Sequence, residues 1–427
     1  MELKELIEIV HGKLLNNYKK VKIRDFKTDT RKLKNNDVFI ALTGKTDNGN
    51  NYINDKIKAS VVITDMNIKL KHIPVIKVDN TYDTLFYLGN YFRSKYNIPV
   101  INITGSNGKT TIKELIYNIL STKYNVLKNE GNENNIIGVF NTLKKLNDTY
   151  DIAVIELGMN HLKEISKLSK MCLPNKAIIT NIGAAHIGYL KNKRNIFKAK
   201  LEIKDGLQGE LIVNGDDKYL KHVKAYKCGT KTNNDLMAYN IYKYNNHISF
   251  NICIDKEYQV IFNIPSKKYI PALLEAIKIG IDYNIDIKEI INKIKEFKPV
   301  EKRLNIINKE DYILIDDSYN ASYESVKCGL DILNQYDKDK IIILGDMLEL
   351  GNKSIKYHKK INKLLNKIDN KLVFTIGNYT KYIYSNHFDN INDLIDNLEN
   401  INISDKCIYI KGSRKMNLDK VVDYLNK

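Results

Sequence analysis

A chain of 427 residues is too long for one ordinary hydrophobic core and points to two or three domains. Its formal charge is +18, from 68 Lys and Arg against 50 Asp and Glu; the cations are spread along the whole length with no dense cluster interleaved with aromatics, which argues against nucleic acid and leaves an anionic small substrate compatible. The charged amphipathic start, MELKELIEIVHGKLL, is not a signal peptide, and no apolar run approaches the ~20 residues of a membrane span, so a cytoplasmic protein without a membrane or nucleic-acid partner is expected.

Residues 1–80 read as a small α/β unit. A first helix is followed by the polar stretch Thr28-Asp29-Thr30-Arg31, a strand at 38–42, a turn-rich loop at 44–51, and strands at 61–64 and 75–78. Asn80 and Thr81 offer caps for a helix running to about residue 95. From 81 to 300 strand and helix alternate, as a mostly parallel sheet requires. Strands are expected at 100–104, 152–156, 177–181 and 211–214. Residues 236–264 alternate Tyr, Ile and Asn with polar residues and read as antiparallel strands at a sheet edge, before helices at 271–281 and 287–297. Phe297-Lys-Pro-Val300 marks a second boundary, and 301–427 reads as a third, Rossmann-like α/β unit with strands at 313–316, 341–344, 372–376 and 407–410. The expected fold is α/β in three domains, with a central phosphate-loop domain built on a mostly parallel sheet.

The chemistry concentrates first at residues 100–114. A β-rich run meets the glycine-bounded turn Gly105-Ser106-Asn107-Gly108, and Lys109-Thr110-Thr111 opens a helical period with Ile112, Leu115, Ile116, Ile119 and Leu120 on one face. Strand, glycine loop and helix in that order cradle phosphate: backbone N–H groups and the helix N-terminus supply partial positive charge. The lysine adds a full charge, and the threonine hydroxyl suits Mg²⁺. Two residues separate the glycines, where the general phosphate-loop pattern has four.

Other reactive groups follow strand ends, where open parallel sheets place their sites. Glu156 ends one strand and suits a Mg²⁺ that a nucleotide brings. His186 follows a small-residue loop after the next strand; Lys200, on its own helix, reads as a solvated lysine. Arg303 stands just past the second boundary, placed to reach a γ-phosphate across a cleft. Asp316-Asp317-Ser-Tyr-Asn320 pairs acids after a buried-looking strand, which favours a polar site over a core. The composition is rich in Lys, Asn, Ile and Tyr and lacks Trp, as A+T-biased coding produces. Such a bias converts arginine to lysine, so the six arginines left are informative. The five cysteines stand singly, without metal-ligand spacing, and read as core thiols of a reduced protein.

Taken together, the ordered motifs resemble the Mur ligases, ATP-dependent amide-forming enzymes of peptidoglycan precursor synthesis. The short loop Thr104–Thr111 has that family's spacing, shared with folylpolyglutamate synthases. Asp29-Thr30-Arg31 resembles the segment that holds the UDP-sugar, and Gly131-Asn-Glu-Asn-Asn135 resembles the asparagine loop. Asp316–Ala321, Gly345-Asp346-Met-Leu-Glu349-Leu-Gly351 with His358, and Lys411-Gly-Ser-Arg414 resemble the branch that adds a dipeptide.

The resemblance implies ATP and two Mg²⁺ ions as cofactors, UDP-N-acetylmuramoyl-tripeptide and D-alanyl-D-alanine as substrates, and a monomer. It implies that Gly105 to Thr111, Arg303, Asp317 and Asn320 bind ATP, and that Thr110, Glu156, His186 and Lys200 ligate metal, Lys200 as a carbamate. Lys109, Glu156, His186 and Lys200 would be catalytic. Asp29, Thr30, Arg31, Asn135, Asp346, His358 and Arg414 would bind substrate. Pro271 stands where the family usually has an adenine-contacting asparagine, Lys302 where it has Gly or His, and Phe140 where it has proline. A sister ligase or folylpolyglutamate synthase-like enzyme with another amine, a switch or kinase using the phosphate loop alone, and a non-catalytic binding module stay open as alternatives.

Overall fold

The computed structural model describes residues 1–16, 20–44 and 47–426; Lys45 and Thr46 of the predicted loop lie outside them. Four sheets form from successive stretches of chain that do not interleave. In the first, the order across the sheet is Lys13–Leu14, Val75–Lys77, Val61–Thr64, Asp37–Ile40, Asp25–Lys27, parallel except for the first pair. The period of two divides these strands between two cores. Val38, Ile40, Val61, Ile63 and Ile76 face one, with Leu85 and Leu88 of the helix Thr81–Ser94, while Phe39, Val62 and Val75 face the other. Covering both faces is what lets a parallel sheet consist of near-continuous apolar runs. Asn80 caps the helix as expected, its side-chain oxygen accepting from Tyr82 N–H at 2.8 Å.

The second sheet has seven parallel strands in the order Leu236–Met237, Tyr226–Gly229, Glu210–Asn214, Lys176–Ile179, Val100–Thr104, Ile152–Glu156, Val126–Lys128. Successive strands depart in opposite directions from Val100–Thr104, which puts the following loop at a topological switch point. The helix Lys109–Leu120 buries Ile112, Leu115, Ile116, Ile119 and Leu120, the face its spacing predicts.

The expected antiparallel edge is instead a separate sheet. Only Leu236–Met237 extends the parallel sheet; Tyr239–Lys243, Ile248–Cys253 and Glu257–Phe262 pair among themselves. Ile248, Phe250, Ile252, Val260 and Phe262 alternate onto one buried face, and an antiparallel sheet tolerates water on the other. The last sheet runs Asn305–Asn308, Ile313–Asp316, Lys406–Lys411, Asp339–Gly345, Lys371–Ile376, Asn386–Phe388, with only the first pair antiparallel. No described helix is long and apolar enough to cross a membrane.

One buried group works against this packing. Glu275, on the helix Ile270–Asp282, is fully buried, and neither carboxyl oxygen has a hydrogen-bond partner among the described residues. Burial pushes its pKa well above the usual carboxylate range. The folded state therefore retains this proton while the unfolded chain loses it, so the contribution to stability is full below the unfolded value near 4.5 and is lost as pH rises toward the folded one. Glu275→Met should stabilise the protein by about 1–3 kcal/mol, the cost of an unpaired buried polar group. Thermal unfolding at pH 6 and pH 9 checks it: the advantage of the variant should widen at the higher pH.

Candidate active site

The phosphate loop is set by its neighbours as much as by its glycines. Gly105 passes so close to the next strand's end that a Cβ would stand 1.9 Å from Thr180 Oγ1, and Gly108 has φ +80. Asn181 accepts from Ser106 N–H at its carbonyl and from Asn107 N–H at Oδ1, both at 3.0 Å. Those two amides are thereby occupied, and the anion-binding donors that remain include the Gly108 N–H and those of the helix's first turn, at Lys109, Thr110 and Thr111, which lack intrahelical acceptors. Lys109 Nζ donates to Gly105 O at 3.1 Å.

Thr110 and Glu156 meet as the sequence suggests: Thr110 Oγ1 donates to Glu156 Oε2 at 2.7 Å. The residue that fixes the other oxygen was missed. Asn134 Nδ2 donates to Glu156 Oε1 at 2.7 Å, whereas Asn135 caps the helix Ile136–Leu143 by accepting from Gly138 N–H at 3.0 Å. Asn129 adds a backbone clamp, accepting from Glu156 N–H at 2.9 Å and donating to Glu156 O at 3.0 Å. Its own carbonyl accepts from the buried Lys113 Nζ at 2.6 Å. Thr110 and Lys113 share one helix, so a closed ring of contacts aims the Glu156 carboxylate. The sequence signals for it were the density of asparagines at 129–135 and the resemblance of Gly131–Asn135 to the asparagine loop.

His186 has φ +61 and opens a short helix. Its Nδ1 lies 3.2 Å from Glu349 Oε2, out of hydrogen-bond alignment, and is otherwise unpartnered among the described residues. Burial, with the charges of Lys200 and Lys109, pushes the imidazole down to about 3, so the ring is neutral and carries a lone pair for a metal. Lys200, expected as a solvated lysine from its spacing alone, is 1% exposed. No hydrogen bond or ion pair of its amine is found among the described residues. Burial first and Lys109 second push its ammonium well down. Lys109 itself is lowered by burial and by Arg303, against Glu156 and Glu349.

Arg303 arrives from the C-terminal unit. Its guanidinium lies 4.0 Å from the Tyr319 ring centroid. The flanking Lys302 and Leu304 have φ +63 and +53, an uncommon conformation for such side chains. Asp317 stabilises that turn: Oδ1 accepts from Leu304 N–H at 3.2 Å, and Oδ2 accepts from Lys411 Nζ at 2.6 Å and Tyr409 O–H at 3.2 Å. Asp317 lines the cavity, but its contacts place it as the brace of the Arg303 turn. Asn320 also lines the cavity, its Oδ1 accepting from Ala321 N–H at 2.9 Å.

One cavity of about 1380 Å³ joins Ser106–Lys109, Thr111, Asn134, Asn135, Glu156, His186, Pro271 and, from the C-terminal unit, Arg303, Tyr319 and Glu349. Asp346 and His358, expected among the substrate residues, lie apart from the cavity. Both are buried and outside its wall. Asp346 Oδ1 accepts from Tyr379 and Thr380 N–H at 2.9 and 2.8 Å; His358 Nε2 accepts from Met347 N–H at 3.0 Å and Nδ1 donates to Ser354 O at 2.7 Å. With these bonds inside one unit, they shape the loop that presents Glu349. Asp29, Thr30 and Arg31 lie on the N-terminal unit, also outside the cavity wall. Asp29 accepts from Arg31 Nε at 2.9 Å, and Arg31 is 86% exposed at its side chain. Arg414 is exposed as well, 5.6 Å from the Tyr319 ring centroid.

The Mur ligase middle domain matches residues 103–280, and the Mur ligase, glutamate ligase domain matches residues 302–414. The UDP-N-acetylmuramoyl-tripeptide--D-alanyl-D-alanine ligase of Bacillus subtilis is 33% identical over 98% of this chain and 97% of its own. The enzyme of the same name from Buchnera aphidicola is 34% identical over 95% of this chain and 93% of its own. Among solved structures, MurF from Acinetobacter baumannii superposes with a TM-score of 0.91 at 26% identity, covering 99% of this chain and 98% of that one. Matched along nearly its whole length, this chain belongs to the Mur ligase family.

Proposed function

We propose that this protein is an ATP-dependent ligase that joins D-alanyl-D-alanine to UDP-N-acetylmuramoyl-tripeptide in peptidoglycan precursor synthesis. The observation that carries the reading is a single cavity walled by Lys109, Glu156 and His186 on one side and Arg303 on the other. A carboxylate cannot expel hydroxide to make an amide. Its oxygen attacks the γ-phosphorus of ATP, ADP leaves, and the amine of the dipeptide attacks the resulting acyl phosphate. The nitrogen loses its proton as inorganic phosphate departs. Such phosphoryl transfer asks chiefly for positioning and charge neutralisation. Lys109 and the first-turn amides hold the β- and γ-phosphates, and Arg303 meets the γ-phosphate from across the cleft. Closing the C-terminal unit over the cavity keeps water from the acyl phosphate.

The donors fit Mg²⁺. The Thr110 hydroxyl and Glu156 carboxylate are 2.7 Å apart beside the phosphate loop. An ion there would take much of its shell from phosphates and water. Bound there, it would neutralise charge on the transferring phosphoryl group; His186 and Lys200 would hold a second ion. Lys200 suits a carbamate, since a buried neutral amine can attack CO2 and release a proton.

In this reading residues 1–80 bind the UDP-sugar-peptide through Asp29, Thr30 and Arg31, residues 81–300 bind ATP, and residues 301–427 take the incoming dipeptide, with Arg414 exposed near Tyr319. The enzyme acts as a cytoplasmic monomer. Phosphate release from ATP, with the tripeptide nucleotide and D-alanyl-D-alanine omitted in turn, tests the proposal. Release that needs both, with one amide per phosphate, is the expected result. Release with the same nucleotide but a different amine would replace it with a sister ligase.

A further inference from the structure

Three successive amides fix the loop that carries His186, each donating to a side chain from a different element. Ile182 N–H donates to Asp217 Oδ2 at 2.9 Å, and Gly183 N–H donates to Ser106 Oγ at 2.8 Å. The third acceptor belongs to the C-terminal unit: Ala184 N–H donates to Glu324 Oε2 at 3.0 Å. Glu324 stands in the first turn of the helix Tyr323–Leu333. Its other oxygen accepts from Lys193 Nζ at 2.9 Å, at the start of the helix Lys193–Leu201 that contains Lys200. At the cap of the same C-terminal helix, Ser322 Oγ donates to Asn107 Oδ1 of the phosphate loop at 2.8 Å. The junction is close-packed: a Cβ on Gly183 would stand 3.2 Å from Glu324 Cδ and 3.1 Å from Asn107 Nδ2.

We propose that Glu324 is a positioning residue that couples seating of the C-terminal unit to placement of the His186 loop and the Lys200 helix. Both its oxygens are spent on the central unit, and hydrogen bonds to a charged acceptor are stronger than neutral ones. Without it, the Ala184 amide loses its acceptor, and of the three amide anchors only those to Asp217 and Ser106 of the central unit are left. The inference rests on the ligase reading above.

Steady-state kinetics and ADP binding by calorimetry on the wild type, Glu324→Ala and Glu324→Gln test it. Glu324→Ala should lower kcat about ten- to hundredfold, the range for losing a hydrogen bond to a charged group. The KM for the tripeptide nucleotide should stay within about twofold, because that substrate is bound mainly by the N-terminal unit, and ADP should bind about tenfold more weakly. Glu324→Gln keeps an acceptor for the Ala184 amide and should restore ADP affinity to within about threefold of wild type. A Glu324→Ala protein with wild-type kcat and ADP affinity overturns the proposal, as does a glutamine variant no better than alanine in both. A wild type that never turns over defeats the ligase reading instead, and the ADP measurements still decide Glu324.

Discussion

Lys109→Ala should lower ATP-dependent amide formation by about a thousandfold or more, the scale for deleting a preorganised charge aimed at a transition state. Lys109 extends from the first residue of its helix, its Nζ resting on Gly105 O at 3.1 Å inside the loop. Burial lowers its pKa, so the lysine exchanges little hydration when phosphates replace water around it. The variant should fold, since the apolar face of the helix is unchanged. The KM for the tripeptide nucleotide should move far less than kcat, which separates loss of phosphate handling from general damage. Initial rates of phosphate release check this; ligation within tenfold of wild type would defeat the assignment.

Lys200→Ala should cost about a hundredfold or more in kcat if the residue supplies an anionic ligand to the site, because alanine removes the charge that ligand would carry. A decisive readout does not depend on turnover. Protein equilibrated with 13C-bicarbonate should show a carbamate carbonyl resonance that is absent from Lys200→Ala. A buried primary amine whose ammonium is destabilised by desolvation and by Lys109 is the form that reacts with CO2. The product anion would then sit beside Lys109, exchanging repulsion between two cations for attraction. Identical spectra for wild type and variant would leave Lys200 as an unmodified buried lysine.

Local features were legible from the chain alone. The strand, glycine turn and helix at 100–120 depend on residues adjacent in sequence, and the structure reproduces them with the predicted buried face. Some short strands were not legible: Asp25–Lys27, Val126–Lys128 and Tyr226–Gly229 are three or four residues long and lack the apolar β-branched run that marks Val61–Thr64. A period of two cannot declare itself over so few positions, and pairing with distant strands makes them.

Side-chain roles divide the same way. The phosphate loop, the alternating α/β order and the residue types able to handle phosphate and Mg²⁺ can be read along the chain, because these follow from neighbours within one or two turns. What each polar side chain touches emerges with the packing of distant elements. That packing turned Asp346 and His358 inward and gave Asp317 to Lys411 and Leu304. It put Asn134 on Glu156, brought Glu324 to Ala184 across 140 positions, and buried Lys200. Hydrogen-bond partners and desolvation depend on elements packed together from remote parts of the chain, and those two quantities determine whether a charged residue reacts, braces or only solvates a surface.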